Sequence, residues 1–170
     1  ALLITQTGGG CRASNYIHLL RKALVKAGFP QVPVASLNFS GLEKDSGFQL
    51  TLPLLKKVIA AVFYGDGLMC LANQVRPYEN QPGTADALVD RWTAEIARQF
   101  HAGRGTAKRD MAANFAAMAG QFAGVPVTYS PKVKVGVVGE IYVKYSPLGN
   151  NGLEAFLHGE DCEVNLPGLM

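Results

Sequence analysis

The first four residues, Ala1–Ile4, are apolar without a break, and three glycines follow shortly after. A short continuous apolar run beside a glycine turn reads as a buried strand, here Ala1–Thr7. The period then changes. Over Ala13–Ala27 the apolar positions Ile17, Leu20, Leu24 and Ala27 recur at helical spacing, while Arg21, Lys22 and Lys26 take the opposite side. That pattern predicts an amphipathic helix facing water with its cations. Ser14 or Asn15 is placed to cap it and Gly28 to end it. Val32–Asn38, entered through Pro30 and Pro33, reads as a second strand. Strand, helix, strand in that order predicts a right-handed parallel unit.

A long helical stretch follows, about residues 50–123. Leu52–Val75 is rich in Leu, Val, Ile and Ala, but Lys56, Lys57 and Asp66 interrupt it, so a membrane span is excluded. Thr84–His101 opens on Thr84 as a cap and turns Leu88, Trp92 and Ile96 inward. Thr106–Ala123 carries Met111, Phe115, Met118 and Phe122 at helical spacing, which reads as a core face. Beyond it, Lys132–Glu140 (Val133, Val135, Val137, Val138) is a third strand. Leu153–His158 is the core of a short helix and Glu163–Leu166 a fourth strand. The predicted fold is α/β: a Rossmann-like, parallel four-stranded sheet in the order 2-1-3-4, with residues 50–123 inserted between strands two and three. The whole of 1–170 is expected to be one domain. The chain opens without Met on a strand and stops just after another, which predicts a piece cut from a longer protein.

Composition narrows the partners. With 48% hydrophobic and 17% charged residues the chain can bury a sizeable core. A net charge of +3, with no basic run and no aromatic platform, gives nucleic acid or an anionic membrane no footprint. Three well-separated cysteines argue against a disulfide framework, and no CxxC or Cys/His cluster forms a self-contained metal site. His18, His101 and His158 lie on mixed or polar segments and read as solvated. A cytoplasmic location is the expectation.

Three constellations carry candidate chemistry. In Thr5–Arg12 the triple glycine Gly8, Gly9, Gly10 lies between a strand and a helix, with the Cys11 thiol and the Arg12 cation at the same mouth. Such a turn is either a tight strand–helix junction or a cradle for an anion, because backbone N–H groups and the helix dipole converge there. The dinucleotide fingerprint and the P-loop are both absent. A thiol at a helix start beside Arg12 is acidified, which suits metal ligation or thiol chemistry; the other reading is a small buried apolar residue. The second constellation is Tyr64, Asp66, Asn73, Arg76, Tyr78 and Glu79, whose plainer reading is an Arg–Glu or Arg–Asp pair locking a helix end. The third is Val138–Tyr145 followed by Pro147–Gly152. There Glu140 ends a predicted strand, where open α/β sheets place ligands. Were strands one and three neighbours, Cys11, Arg12, Glu140, Tyr142 and Asn150 would face one crevice.

Thr5–Tyr16 (Thr-Gln-Thr-Gly-Gly-Gly-Cys-Arg-Ala-Ser-Asn-Tyr), Tyr64-Gly-Asp-Gly-Leu-Met with Arg76-Pro-Tyr-Glu, and Gly139–Asn151 together resemble the activase-related proteins of the 2-hydroxyacyl-CoA dehydratase system. The likeness is to the large CoA-substrate-specific enzyme activases, in their portion similar to the dehydratase D-component, related also to benzoyl-CoA reductase subunits. It spans nearly the whole chain. It implies a part of a larger protein in which ATP and an iron–sulfur cluster support low-potential electron transfer to a radical dehydratase. Its partners would be other domains of the same chain and a dehydratase component. Cys11 would then be one cluster ligand, with the others outside this stretch, and Gly8, Gly9, Gly10, Arg12, Glu140, Tyr142 and Asn150 would bind ligand. Neither the ATPase phosphate motifs nor a full set of cluster cysteines occurs in the 170 residues. The fragment alone is therefore expected to hold no cofactor and to be no competent enzyme. The alternative is a binding module for a phosphate-bearing ligand, such as a CoA thioester or nucleotide. A catalytic thiol at Cys11 is a third class.

Overall fold

The computed structural model describes residues 1–6, 12–38 and 51–169. Gly8, Gly9, Gly10 and Cys11, and the Arg12 side chain, lie outside the described residues. The chain forms two compact units, Ala1–Leu54 and Leu55–Met170.

In the first unit, β1 (Leu2–Gln6) pairs in parallel with β2 (Val34–Asn38), Leu2 opposite Val34 and Gln6 opposite Asn38. A 3-10 turn, Arg12–Asn15, leads into α1 (Tyr16–Lys26). Of the predicted stripe only Ile17 is fully buried; Leu20 and Leu24 are half-buried and Ala27 is exposed. Arg21 does not merely face water, since its Nη2 donates to the Val34 carbonyl at 3.2 Å. Asn15 already has helical backbone angles, so its side chain makes no cap bond. The far end stops as predicted: Gly28 takes φ +84°, and Phe29 N–H donates back to the Leu24 carbonyl at 2.8 Å.

The second unit is built on helices. α2 (Leu52–Val75), α3 (Thr84–His101) and α4 (Lys108–Ala123) enclose a core of Ala60, Tyr64, Leu68, Ala72, Ala85, Leu88, Trp92, Ile96, Met118, Phe122 and Val125. The Met/Phe stripe of α4 is thus a packing face, with Met111 and Phe115 half-buried beside it. Thr84 is not the cap of α3. Glu79 performs that task, its carboxylate accepting from Gly83 N–H (2.6 Å) and Ala85 N–H (2.7 Å). An anion there also complements the helix dipole. Inside the bundle the Tyr64 hydroxyl donates to the Gly105 carbonyl and accepts from Asn114 Nδ2, both at 2.8 Å. Burial pushes the pKa of that hydroxyl up.

After the bundle come β3 (Lys134–Gly136), three short helices and β4 (Glu163–Asn165). The helices are α5 (Ile141–Tyr145), α6 (Pro147–Asn150) and α7 (Leu153–Gly159). β3 and β4 pair in parallel, Val135 opposite Val164. A second small core of Val137, Val164 and Leu166 gathers Met69, Tyr145, Leu153 and Leu157 around it.

The predicted four-stranded Rossmann-like sheet in the order 2-1-3-4 is not present. The described strands form two separate parallel pairs, β1–β2 and β3–β4, in a largely helical chain. Two features explain the difference. Residues 52–123 are not a crossover laid on a sheet, because their three long helices close a core of their own. The third strand is also far shorter than the valine pattern promised. Gly139 turns the backbone at φ +153° and Glu140 starts a helix, leaving Val133 and Val138 exposed. Alternating valines fit a half-buried strand only where a neighbour pairs with them.

Candidate functional site

Arg76 follows the last turn of α2, immediately before Pro77, which directs the chain out of the helix. The guanidinium lies where three elements meet. Nε and Nη2 donate to Asp86 Oδ1 on α3, at 3.0 and 2.7 Å. Nη1 faces Asn73 Oδ1 (2.7 Å), Glu154 Oε1 (3.2 Å) and His158 Nε2 (3.2 Å). Nη1 carries two hydrogens, matching Asn73 Oδ1 and Glu154 Oε1, while His158 Nε2 accepts from it only in the tautomer protonated at Nδ1. Asn73 is buried and its Nδ2 has no hydrogen-bond partner, although the amide lies close enough to Glu154 to favour that carboxylate. The arrangement is a hub: one cation ties the end of α2 to α3 and α7.

The hub forms one wall of an open cleft of about 460 Å³. Lys144, Tyr145, Pro147, Asn150, Gly152 and Ala155 complete its lining. Asn150 shapes it by accepting from Leu153 N–H at 3.1 Å, which fastens the start of α7. His158, read from sequence as solvated, is instead held against Arg76, and its side chain is 17% exposed. His18 and His101 are exposed, as expected.

Of Glu140, Tyr142 and Asn150, expected to face one crevice, only Asn150 lines the cleft. Glu140 is at the start of α5, not at a strand end; its carboxylate accepts from Tyr142 N–H and Val143 N–H and so caps the helix. Tyr142 packs its ring on Gly149, where a Cβ would sit 2.9 Å from both that ring and the Tyr142 carbonyl. Among the described residues β1 pairs with β2 and β3 with β4, so the β1–β3 adjacency expected to join Cys11 and Arg12 to Glu140, Tyr142 and Asn150 is not formed there. The residues that sequence reasoning missed are Asp86, Glu154 and His158. Glu154 and His158 stand four apart on one helical face, a spacing that brings side chains together.

The electrostatics have a measurable consequence. The His158 ring, 3.7 Å away, and the Arg76 guanidinium hold the Glu154 carboxyl below its ordinary value of 4.5. A carboxyl more acidic in the folded state than in the unfolded one adds stability above the unfolded pKa. That contribution is lost as pH falls from about 4.5 through the lower folded value. Acid titration should therefore loosen α7 below about pH 4.5. Glu154→Gln should flatten that part of the stability profile, read by denaturant midpoints between pH 3 and pH 6. An unchanged acid slope in Glu154→Gln would remove Glu154 from the account.

Among the described residues no group of three or more His, Cys, Asp or Glu is arranged to hold a metal ion. Cys70 is exposed and Cys162 half-buried, and both are free thiols. No described helix is long and apolar enough to cross a membrane. No family model, no curated protein and no solved structure matches the chain.

Proposed function

We propose that this chain is a dehydratase-related part of a larger activase-like redox protein. In this reading it supplies a ligand cleft and a docking face for ATP-driven electron transfer to a 2-hydroxyacyl-CoA dehydratase. One observation carries the proposal. Two of the motifs that suggested the family, far apart in sequence, line one cleft: Arg76 from Arg-Pro-Tyr-Glu, and Lys144, Tyr145, Pro147 and Asn150 from the later motif. A motif whose residues only maintained separate helices would have no reason to converge on open space.

The roles of the chain's own residues follow from their bonds. Arg76 is engaged by Asp86, Asn73, Glu154 and His158, so its main work is to shape the cleft. Lys144 and Asn150 also line the cleft, where Lys144 Nζ donates to the Pro167 carbonyl at 3.0 Å and Asn150 Oδ1 accepts from Leu153 N–H. The same three short helices expose Ile141, Tyr142, Val143, Leu148 and Phe156, apolar surface suited to a protein neighbour. An iron–sulfur cluster in the parent protein would supply low-potential electrons; the described residues of this chain contribute binding and docking only.

The test is competition. The purified chain, added in molar excess to an activase and its dehydratase under ATP and reductant, should slow activation of the dehydratase by occupying the docking face. Leu148→Asp should abolish the inhibition. Activation that proceeds at the same rate with and without the chain would overturn the proposal.

A further inference from the structure

Leu166 is buried in the small second core, but the chain beyond it runs over the surface: Pro167 and Gly168 are exposed and Leu169 is 51% exposed. An exposed segment of this kind ordinarily satisfies its backbone with water. Here side chains from two helices take that role. Lys144 Nζ and the Tyr145 hydroxyl both donate to the Pro167 carbonyl, at 3.0 and 2.5 Å. Two residues on, Leu169 N–H donates to Asp66 Oδ2 at 2.8 Å. Between them Gly168 lies so close to Asp66 that a Cβ would stand 2.7 Å from its Cγ and 2.8 Å from Oδ2. Twin donors for a carbonyl, an acceptor for the N–H two residues later and, between them, an Asp66 carboxylate that any Cβ would have to push aside fit one chemical object. It is an extended peptide segment with glycine at its centre.

We infer that Asp66, Lys144 and Tyr145 form a peptide-binding site, filled in this structure by the chain's own Pro167–Gly168–Leu169. When that strap lifts, the site takes a Pro-Gly-type segment of another polypeptide in its place. The exchange is isosteric, because all three bonds are made to backbone groups. Specificity comes from the glycine, which no other residue replaces without displacing Asp66. The strap holds the site by being tethered: a segment in cis acts at an effective concentration in the millimolar range, so a free peptide competes poorly until the strap is loosened. Lys144 and Tyr145 also line the cleft, so lifting the strap returns two donors to it. The inference stands apart from the redox proposal, and its test uses neither activase nor dehydratase.

The probe is the acetylated, amidated tetrapeptide Leu-Pro-Gly-Leu, with Leu-Pro-Ala-Leu as its control. Gly168→Ala should expel the strap, speeding exchange of the Leu169 amide about tenfold or more and tightening probe binding at least about tenfold over the unaltered chain. Gly168→Ala combined with Asp66→Ala should bind no probe. In the unaltered chain, millimolar Leu-Pro-Gly-Leu should itself accelerate exchange at Leu169, and Leu-Pro-Ala-Leu should not. That measurement needs no variant and decides the matter if Gly168→Ala fails to fold. Equal exchange with and without the glycine peptide, or equal binding of the two peptides, would overturn the inference.

Discussion

Replacing Phe122 by alanine should lower the stability of the helical unit by about 3–5 kcal/mol, the usual cost of emptying a buried aromatic site. Phe122 is 2% exposed and packs with Met118 on α4 against the core residues of α2 and α3. The core it belongs to includes residues as small as Ala60, Ala72 and Ala85, which have no side chain to extend into a vacated space. The chain has one tryptophan, Trp92, 7% exposed in the same core. Its indole Nε1 donates to Gln121 at 3.0 Å, next to the substituted position. Trp92 fluorescence therefore reads this unit. The expected result is a large fall in denaturant midpoint at unchanged slope. A loss under about 1 kcal/mol would mean that the site collapses freely, and that the core is looser than its burial implies.

The second large effect is expected from Arg76→Ala. The leg to Asp86 is partly solvated, since that carboxylate is 59% exposed, and contributes only about 0.2–1 kcal/mol. The larger loss is inside. Asn73 is 6% exposed and its Oδ1 has Arg76 as its donor, while its Nδ2 already lacks a partner. Truncating Arg76 removes the donor to that buried oxygen, which costs about 1–3 kcal/mol. Together they amount to about 1–4 kcal/mol, with faster amide exchange over residues 153–159 because α7 loses its tie. Arg76→Lys should recover less than half, since one ammonium cannot fork between Asp86 and Asn73 as a guanidinium does. Full rescue by lysine would show that charge alone, not the fork, holds the hub.

The helices were legible in the sequence for a definite reason. Leu88, Trp92 and Ile96, and Met118 with Phe122, recur at the period of a helix and are buried where that period places them. The end of α1 was equally plain, because Gly28 is required by its φ of +84°. Sheet order was not legible. Which strands pair depends on contacts between distant segments, and the valines of 133–138 carry no information about their partner. The lock at Arg76 was foreseen as an Arg–carboxylate pair, but Asp86 stands ten residues on and Glu154 seventy-eight, beyond any local spacing rule. Glu140 illustrates the converse: an acid just before Ile141 suits a ligand site and a helix cap equally, and the backbone chose the cap. Gly8, Gly9, Gly10, Cys11 and the Arg12 side chain lie outside the described residues.

The second core is small, with three fully buried members, Val137, Val164 and Leu166, against eleven in the helical bundle. Cooperative units open in order of what they bury, so the stretch from β3 to β4 should come loose well before the bundle melts. The cleft wall made by Lys144, Tyr145 and Asn150 belongs to that stretch. A guest in the cleft therefore meets a receptor present only for the fraction of time the small core is closed, and its apparent affinity is divided accordingly. Substitutions at Val164 or Leu166, which touch no guest, would then act as a gain control on binding, turning it down while the rest of the molecule stays folded.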